Sequence, residues 1–397
     1  MRPGRFHGTM AEHPKARNQV KILILWSGAV VPSYRRFFRE LAKSMDVRVL
    51  APRRWTHGSV TYSAMETAAE SRHVSGGAEA SRCEFFQVPF LPGGGSRYWV
   101  PSLVFHLWAY RPRYLYVMEE MDRPSLAWHA LMARLAWPPV RVVNYSLQNL
   151  PAPTYYRWHH RFALRVNRML VSRAIAASRE ADSVLRAHGF RKRTRVIPLW
   201  GSEADFHPGD PGAVAAFRRG LGLGKGETAI LFAGSMVEAK GLLLLRRILP
   251  RFRKIRIIAA GNGPIQDEMA RDLGRQWIYL GGLEGGDLRR FYQAGDYVIL
   301  PSLALGHWKE QIGRTLIEGI LCGCIALGSD SGHIPELTLF PETTFRQGDA
   351  ESLARMLAGL PLRNAESVRK AQRRNVEMRF TASAVARETA TFLESEA

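Results

Sequence analysis

Short apolar runs that stop at a glycine or serine and then give way to a helical repeat recur along this chain. That alternation restricts the fold more than any other feature. Residues 20–25 (Val-Lys-Ile-Leu-Ile-Leu) stop at Trp26-Ser27-Gly28, and Tyr34, Phe37, Phe38 and Leu41 follow at helical spacing. Residues 47–50, 85–90, 114–118 and 140–145 repeat the strand pattern in the first half; residues 229–233, 255–259, 277–280, 297–300 and 324–327 repeat it in the second. Such runs suit strands buried on both faces, and strands separated by helices pair in parallel. The expected class is therefore α/β, doubly wound. With 397 residues the chain exceeds one ordinary core and divides into two domains. The stretch around Gly209 and Gly212 reads as linker, which puts the boundary near residue 205.

Ligands of open parallel sheets bind beyond the carboxyl ends of the strands, so the loops there hold the candidate chemistry. After residues 297–300 the chain continues to Lys309-Glu310-Gln311-Ile312-Gly313-Arg314-Thr315-Leu316-Ile317-Glu318, with seven residues between the two glutamates. Glu310 lies in the loop and Glu318 inside the following helix. Eight helical positions span roughly 12 Å, comparable to the separation of sugar and ribose across a pyrophosphate. The helix start between them, at Gln311 and Gly313, offers free N–H groups and a positive dipole end to phosphate. The plain alternative is a pair of solvated acids on a surface helix. Against it stand the strand end before Glu310, the loop Gly328-Ser329-Asp330-Ser331-Gly332 after the next strand, and Ile334-Pro335-Glu336 closing the stretch.

This arrangement resembles the donor domain of retaining glycosyltransferases of family 4 (group 1), which have the GT-B fold. The resemblance implies two Rossmann-like domains facing across a cleft: an acceptor domain at 20–204, a nucleotide-sugar domain at 205–375, and a C-terminal helix, 376–397, returning to the first. It implies that Glu310 orients the sugar, that Glu318 holds the ribose, and that Lys240 holds the donor diphosphate beside Gly234 and Ser235. The paired acids Glu119-Glu120 close residues 114–118 and suit an acceptor hydroxyl or acid/base work; Glu120 is the candidate. Gly263 and Gly28 sit in further loops after strands, although a glycine needed only for the turn explains Gly28 equally well. Several positions depart from the family pattern. Met121 replaces a proline, Gln148-Asn149 stands where several members have a histidine, Trp200 precedes Gly201, and Ser235 replaces an arginine, for which Arg314 is the substitute considered. The implied activity is that of a hexosyltransferase using a UDP- or GDP-linked sugar as substrate, with no cofactor and no metal. No Asp-x-Asp is present.

The net charge is +21, and nearly all of it lies in residues 1–200. Such asymmetry points to an acidic partner. Arg157, Arg161, Arg165 and Arg168 share one face of a helical stretch, with Trp158, Phe162, Val166 and Met169 on the adjoining face. That helix either lies on anionic lipid or buries its apolar face in the core. His129, within an apolar helical segment, reads as structural. Cys83, Cys322 and Cys324 form no disulfide framework and no zinc site, so a cytoplasmic setting is expected. Residues 1–19 read as a disordered polar extension without a secretory signal, and no run is long and apolar enough to span a bilayer. The expected partners are a nucleotide-sugar, a lipid-linked or saccharide acceptor of cell-envelope or exopolysaccharide synthesis, and an anionic membrane surface, without nucleic acid. A non-catalytic GT-B scaffold or an anionic-surface or nucleic-acid binder is the alternative.

Overall fold

The computed structural model of the protein describes residues 19–57, 60–63, 83–92, 98–150, 158–306 and 308–395. The N-terminal extension, most of the polar stretch 57–82 and the glycines at 93–95 lie outside them. The first sheet contains seven parallel strands: β1 (Lys21–Leu25), β2 (Asp46–Pro52), β3 (Cys83–Val88), β4 (Tyr114–Met118), β5 (Arg141–Ser146), β6 (Val171–Ala176) and β7 (Thr194–Val196). Their spatial order is β7-β6-β5-β4-β1-β2-β3. The second sheet contains β8 (Thr228–Ala233), β9 (Ile255–Ala260), β10 (Trp277–Tyr279), β11 (Tyr297–Leu300), β12 (Ile325–Ser329) and β13 (Thr344–Phe345), in the order β10-β9-β8-β11-β12-β13. Two short antiparallel hairpins, Arg54–His57 with Val60–Ser63 and Leu91–Pro92 with Tyr98–Trp99, stand outside the sheets.

Both sheets are wound alike. The chain reverses direction between β1 and β4 in the first and between β8 and β11 in the second, which opens a crevice at the carboxyl end of each pair. The two crevices face one another. Asn149, beyond β5, donates to the Glu310 carbonyl at 3.0 Å, Lys309 pairs with Glu180, and Arg314 donates to the Ser33 hydroxyl at 3.0 Å.

The end of the chain ties the halves together. The Ala365–Arg379 helix stays on the second domain because Gln372, fully buried, pairs with the backbone N–H and C=O of Ala326 and with the Thr338 carbonyl. The crossing falls at Phe380 and Thr381, whereas the sequence puts it at residue 376. There the Gly201 N–H donates to the Phe380 carbonyl and the Ala382 N–H to the Gly201 carbonyl. The Ala382–Glu394 helix then packs on the Arg35–Leu41 helix of the first domain. It is anchored by the Tyr114 hydroxyl on the Leu393 carbonyl and by Arg173 on the carbonyls of Phe392 and Leu393. Trp200, beside that crossing, is completely buried and stacks on Phe37 with ring centroids 4.1 Å apart.

One glycine fixes the second crevice. Gly241 has φ +68°, and a Cβ there would lie 1.8 Å from the Pro301 carbonyl oxygen, so the turn after β8 can close on the end of β11 only without a side chain. Gly241→Ala is expected to destabilise the protein by about 2 kcal/mol or more, from backbone strain plus the clash. Thermal denaturation checks it; an unchanged Tm contradicts the tight closure.

Candidate active site

Four of the residues singled out from the sequence line one cavity of about 590 Å³: Ser235, Lys240, Glu310 and Gln311. Trp308 and Leu305 add an apolar side to it. Lys240 leaves the short 3₁₀ turn Glu238–Lys240 after β8, and its Nζ lies 2.6 Å from Glu310 Oε2. The same oxygen accepts from the Ser302 hydroxyl at 2.8 Å. The ammonium also lies 4.9 Å from the centre of the Trp308 ring, within cation–π range. Glu310 is buried, and its backbone is clamped from two sides. Asn149 holds its carbonyl, and Gly332, at φ +56°, packs so near that a Cβ would come within 2.1 Å of the same oxygen. That close approach gives the glycine-bearing loop after β12 a physical role.

The helix after this loop spans Arg314–Leu321, with Gly313 at φ +56° as its N-cap. The sequence pattern started the helix one residue earlier. Thr315 ties the first turn to β8 by donating to the Ala233 carbonyl at 3.0 Å. Glu318 faces inward on this helix and is buried; it accepts from the Tyr292 hydroxyl at 3.0 Å and from Arg314 at 2.8 Å. Arg314 is thereby engaged elsewhere than its sequence position suggested. Its guanidinium serves Glu318, the Ser33 hydroxyl and the ring face of Tyr34, 4.3 Å away, because a buried carboxylate needs a counter-charge. It does not stand in the cavity as a replacement for the missing arginine. Ser235 is exposed at the cavity wall.

Gly234, Gly263, Gly28, Gly313, Glu318 and Glu120 lie outside the lining of this cavity. A Cβ on Gly263 would meet the Met236 carbonyl at 2.3 Å, so that glycine lets the loops after β8 and β9 touch. At Gly28 a Cβ would strike the Trp26 indole at 2.4 Å, a packing reason for the turn.

On the first domain Glu120 follows β4 at the opposing switch point. It accepts from the Ser146 hydroxyl at 2.6 Å and from the Gln148 N–H at 2.9 Å. One short loop, 146–149, thus grips Glu120 at its start and Glu310 at its end. Burial pushes the Glu120 carboxyl up from its ordinary 4.5 to about 6, against the opposing effect of the Ser146 hydrogen bond. Behind it Glu119 is buried, taking a hydrogen bond from Ser125 at 2.6 Å, with His129 Nδ1 at 3.4 Å. His129 is fully buried, as a structural residue would be. Among the described residues no group of three His, Cys, Asp or Glu side chains is arranged to hold a metal ion, and no helix is long and apolar enough to cross a membrane. Sequence reasoning missed Ser302, Trp308 and the bridging role of Asn149. A strand end immediately before Ser302 was the available signal.

Two parallel sheets with facing switch points, spanned by a returning C-terminal helix, define the GT-B fold. The UDP complex of HepE from Anabaena superposes with a TM-score of 0.72 at 19% identity, over 95% of this chain and all of that one. Within that fold, residues 227–360, in the second domain, match the family described as glycosyl transferases group 1. The sulfoquinovosyl transferase of Arabidopsis thaliana is 25% identical over 235 residues, 56% of this chain and 43% of that protein. The lipopolysaccharide 1,2-N-acetylglucosaminetransferase of Salmonella typhimurium is 26% identical over 138 residues, 31% of this chain and 35% of its own length. The chain thus spans less than half the length of these curated relatives.

Glu120 supplies a pH test. Its folded pKa lies above the unfolded one, so ionising it costs stability that is lost as pH rises from about 4.5 to about 6. Glu120→Gln is expected to remove a dependence on the order of 2 kcal/mol between those limits. Urea denaturation of both proteins across that range measures it; parallel curves contradict the buried carboxyl.

Proposed function

We propose that this protein transfers a hexosyl group from a UDP- or GDP-linked donor to a hydroxyl of a second substrate, with retention at the anomeric carbon. The observation that carries the reading is the meeting of Lys240 and Glu310 in one cavity at the switch point of the domain that matches group 1 glycosyltransferases. The donor diphosphate takes the Lys240 ammonium as counter-charge, together with the N–H groups at the start of the Arg314–Leu321 helix. Released from that pairing, Glu310 accepts from the sugar hydroxyls while Ser302 and Asn149 keep it in place. A carboxylate accepts about four hydrogen bonds; two are used at Glu318, and the ribose hydroxyls take the remainder. In the step itself the bond from the anomeric carbon to the diphosphate oxygen breaks. The acceptor oxygen bonds to that carbon on the same face, and the departing phosphate takes the acceptor proton. No carboxylate is needed as nucleophile and no metal ion is called for, because the cation and the amides meet the leaving charge. Glu120 positions the acceptor hydroxyl from the opposite domain.

The acceptor in this reading is a membrane-associated glycolipid or saccharide of envelope or exopolysaccharide synthesis, met at the cytoplasmic face. The Salmonella relative, whose name gives lipopolysaccharide as its substrate, supports that class, and the UDP bound by the Anabaena protein supports the donor. A non-catalytic scaffold is the second reading; Ser235, in a position where a phosphate-binding cation is absent, favours it.

Release of nucleoside diphosphate from UDP- and GDP-sugars separates the two. The wild-type protein is expected to turn over one of these donors, and Glu310→Gln to slow it by about 100-fold or more while keeping the native circular dichroism spectrum, with a lower Tm because Lys240 loses its counter-charge. Full activity of Glu310→Gln refutes the site, and inert wild-type protein refutes transfer.

A further inference from the structure

The face of the first sheet away from the C-terminal helix is covered by three adjacent helices, Leu103–Tyr110, Pro124–Ala136 and Trp158–Leu170, the middle one packed on both others. Their inner sides are buried, through Leu107, Ala130 and Ala163 among others. Their outer sides are the opposite of what water requires. Of the eleven exposed large apolar side chains among the described residues, eight lie on these helices, between 40% and 78% exposed. Phe105 and Trp108 come from the first, Leu135 from the second, and Trp158, Phe162 and Met169 from the third.

The third helix is inverted. Asn167 points inward and donates to the carbonyls of Met121 and Arg123 at 2.9 and 3.1 Å, while Trp158, Phe162 and Met169 point outward. This overturns the expectation that the apolar face of this stretch packs into the core. The helix packs inward through His160, Ala163 and Asn167, with Leu164 and Leu170 beside them, so its three largest apolar side chains on the outside are not used in core packing; a contiguous patch of this kind marks an interaction surface.

Charge selects the partner. From Arg123 to Arg179 the chain holds nine arginines and no aspartate or glutamate, and none of the three helices carries an acid. Arg134, Arg161 and Arg165 are exposed beside the apolar residues. Arginines that lack acidic neighbours are not neutralised within the surface, and they attract a dense anionic field. Aromatic and aliphatic side chains mixed with arginines match a lipid interface, where the rings enter the acyl boundary and the guanidinium groups meet phosphates.

We propose that this three-helix face docks the protein on an anionic lipid bilayer. The proposal names the surface by which the transfer reading would reach a lipid-linked acceptor, yet binding is measured with neither donor nor acceptor, so the two readings fail independently. Each of these helices returns antiparallel to the preceding strand, so its first turn lies at the crevice edge of the sheet. Trp158, in the first turn of its helix, therefore lies toward the same edge of the sheet as Glu120.

The test is sedimentation of the full chain with vesicles of phosphatidylcholine, alone or mixed with phosphatidylglycerol, at roughly physiological ionic strength. Retention on the mixed vesicles is expected. Trp108→Glu combined with Phe162→Glu is expected to weaken it by about tenfold or more, and Arg161→Gln with Arg165→Gln by about tenfold. The same Tm in both variants shows that the fold is kept. Met378→Glu, an exposed apolar position on the second domain, is expected to change nothing. No retention on the mixed vesicles overturns the proposal, as does retention indifferent to both variant pairs. It is equally overturned if the patch proves to hold a second copy of the chain, seen as a dimer dissociated by Phe162→Glu without vesicle binding, or if DNA displaces the protein from vesicles.

Discussion

The ion pair between Lys240 and Glu310 is the constraint on which the remaining geometry depends. Both side chains are largely withdrawn from water, and two such charges are tolerated only when they meet each other and find further hydrogen bonds. Meeting that condition requires three separate pieces of chain. The turn after β8 must close on the end of β11, which Gly241 permits; Ser302 must follow β11 directly; and Gly332 must let the loop after β12 press against the Glu310 backbone. The strand order supplies all three, because β8 and β11 are the neighbours between which the sheet reverses. In the proposed reaction the pair passes its cation from the Glu310 carboxylate to an incoming diphosphate.

The first domain reaches the site through a short loop. Residues 146–149 bind Glu120 at one end and the Glu310 backbone at the other. Lys309 with Glu180 and Arg314 with Ser33 add polar contacts across the crevice, while one buried apolar cluster joins the domains through residues such as Trp200 and Ile317. The chain crosses between domains twice, near Gly201 and near Phe380, and the two crossings are hydrogen-bonded to each other. Polar contacts across the crevice and a paired crossing at its edge suit domains that close on a ligand. Trp200, stacked on Phe37 beside the crossing, ties that hinge to the first-domain core.

Much of this was legible in the sequence, because buried parallel strands and the loops after them have a period and punctuation of their own. The strands around Ile22, Tyr116, Ile230 and Ile299 show this. Lys240 and Glu310 could be assigned to one site on paper through the family resemblance, each falling in a loop region after a strand. Less legible were contacts that depend on tertiary choice. Arg314 has the right charge for a phosphate, but nothing local reveals that Glu318, four residues on, is buried and claims it. The helix starting at Trp158 carries an amphipathic pattern that fits either burial or exposure of its apolar side, and only the inward Asn167 decides. Gln372 reads as an ordinary polar helix residue, yet it completes the backbone pairing of Ala326 and holds the helix on the second domain past residue 376.

The decisive observation is a crystal structure of the protein with an unreactive UDP- or GDP-sugar bound. The expected result is a diphosphate over the first turn of the Arg314–Leu321 helix, within hydrogen-bonding distance of Lys240 Nζ, with the Glu310 carboxylate on the sugar. A nucleotide-sugar bound elsewhere, with Lys240 and Glu310 still paired to one another and untouched, would contradict it.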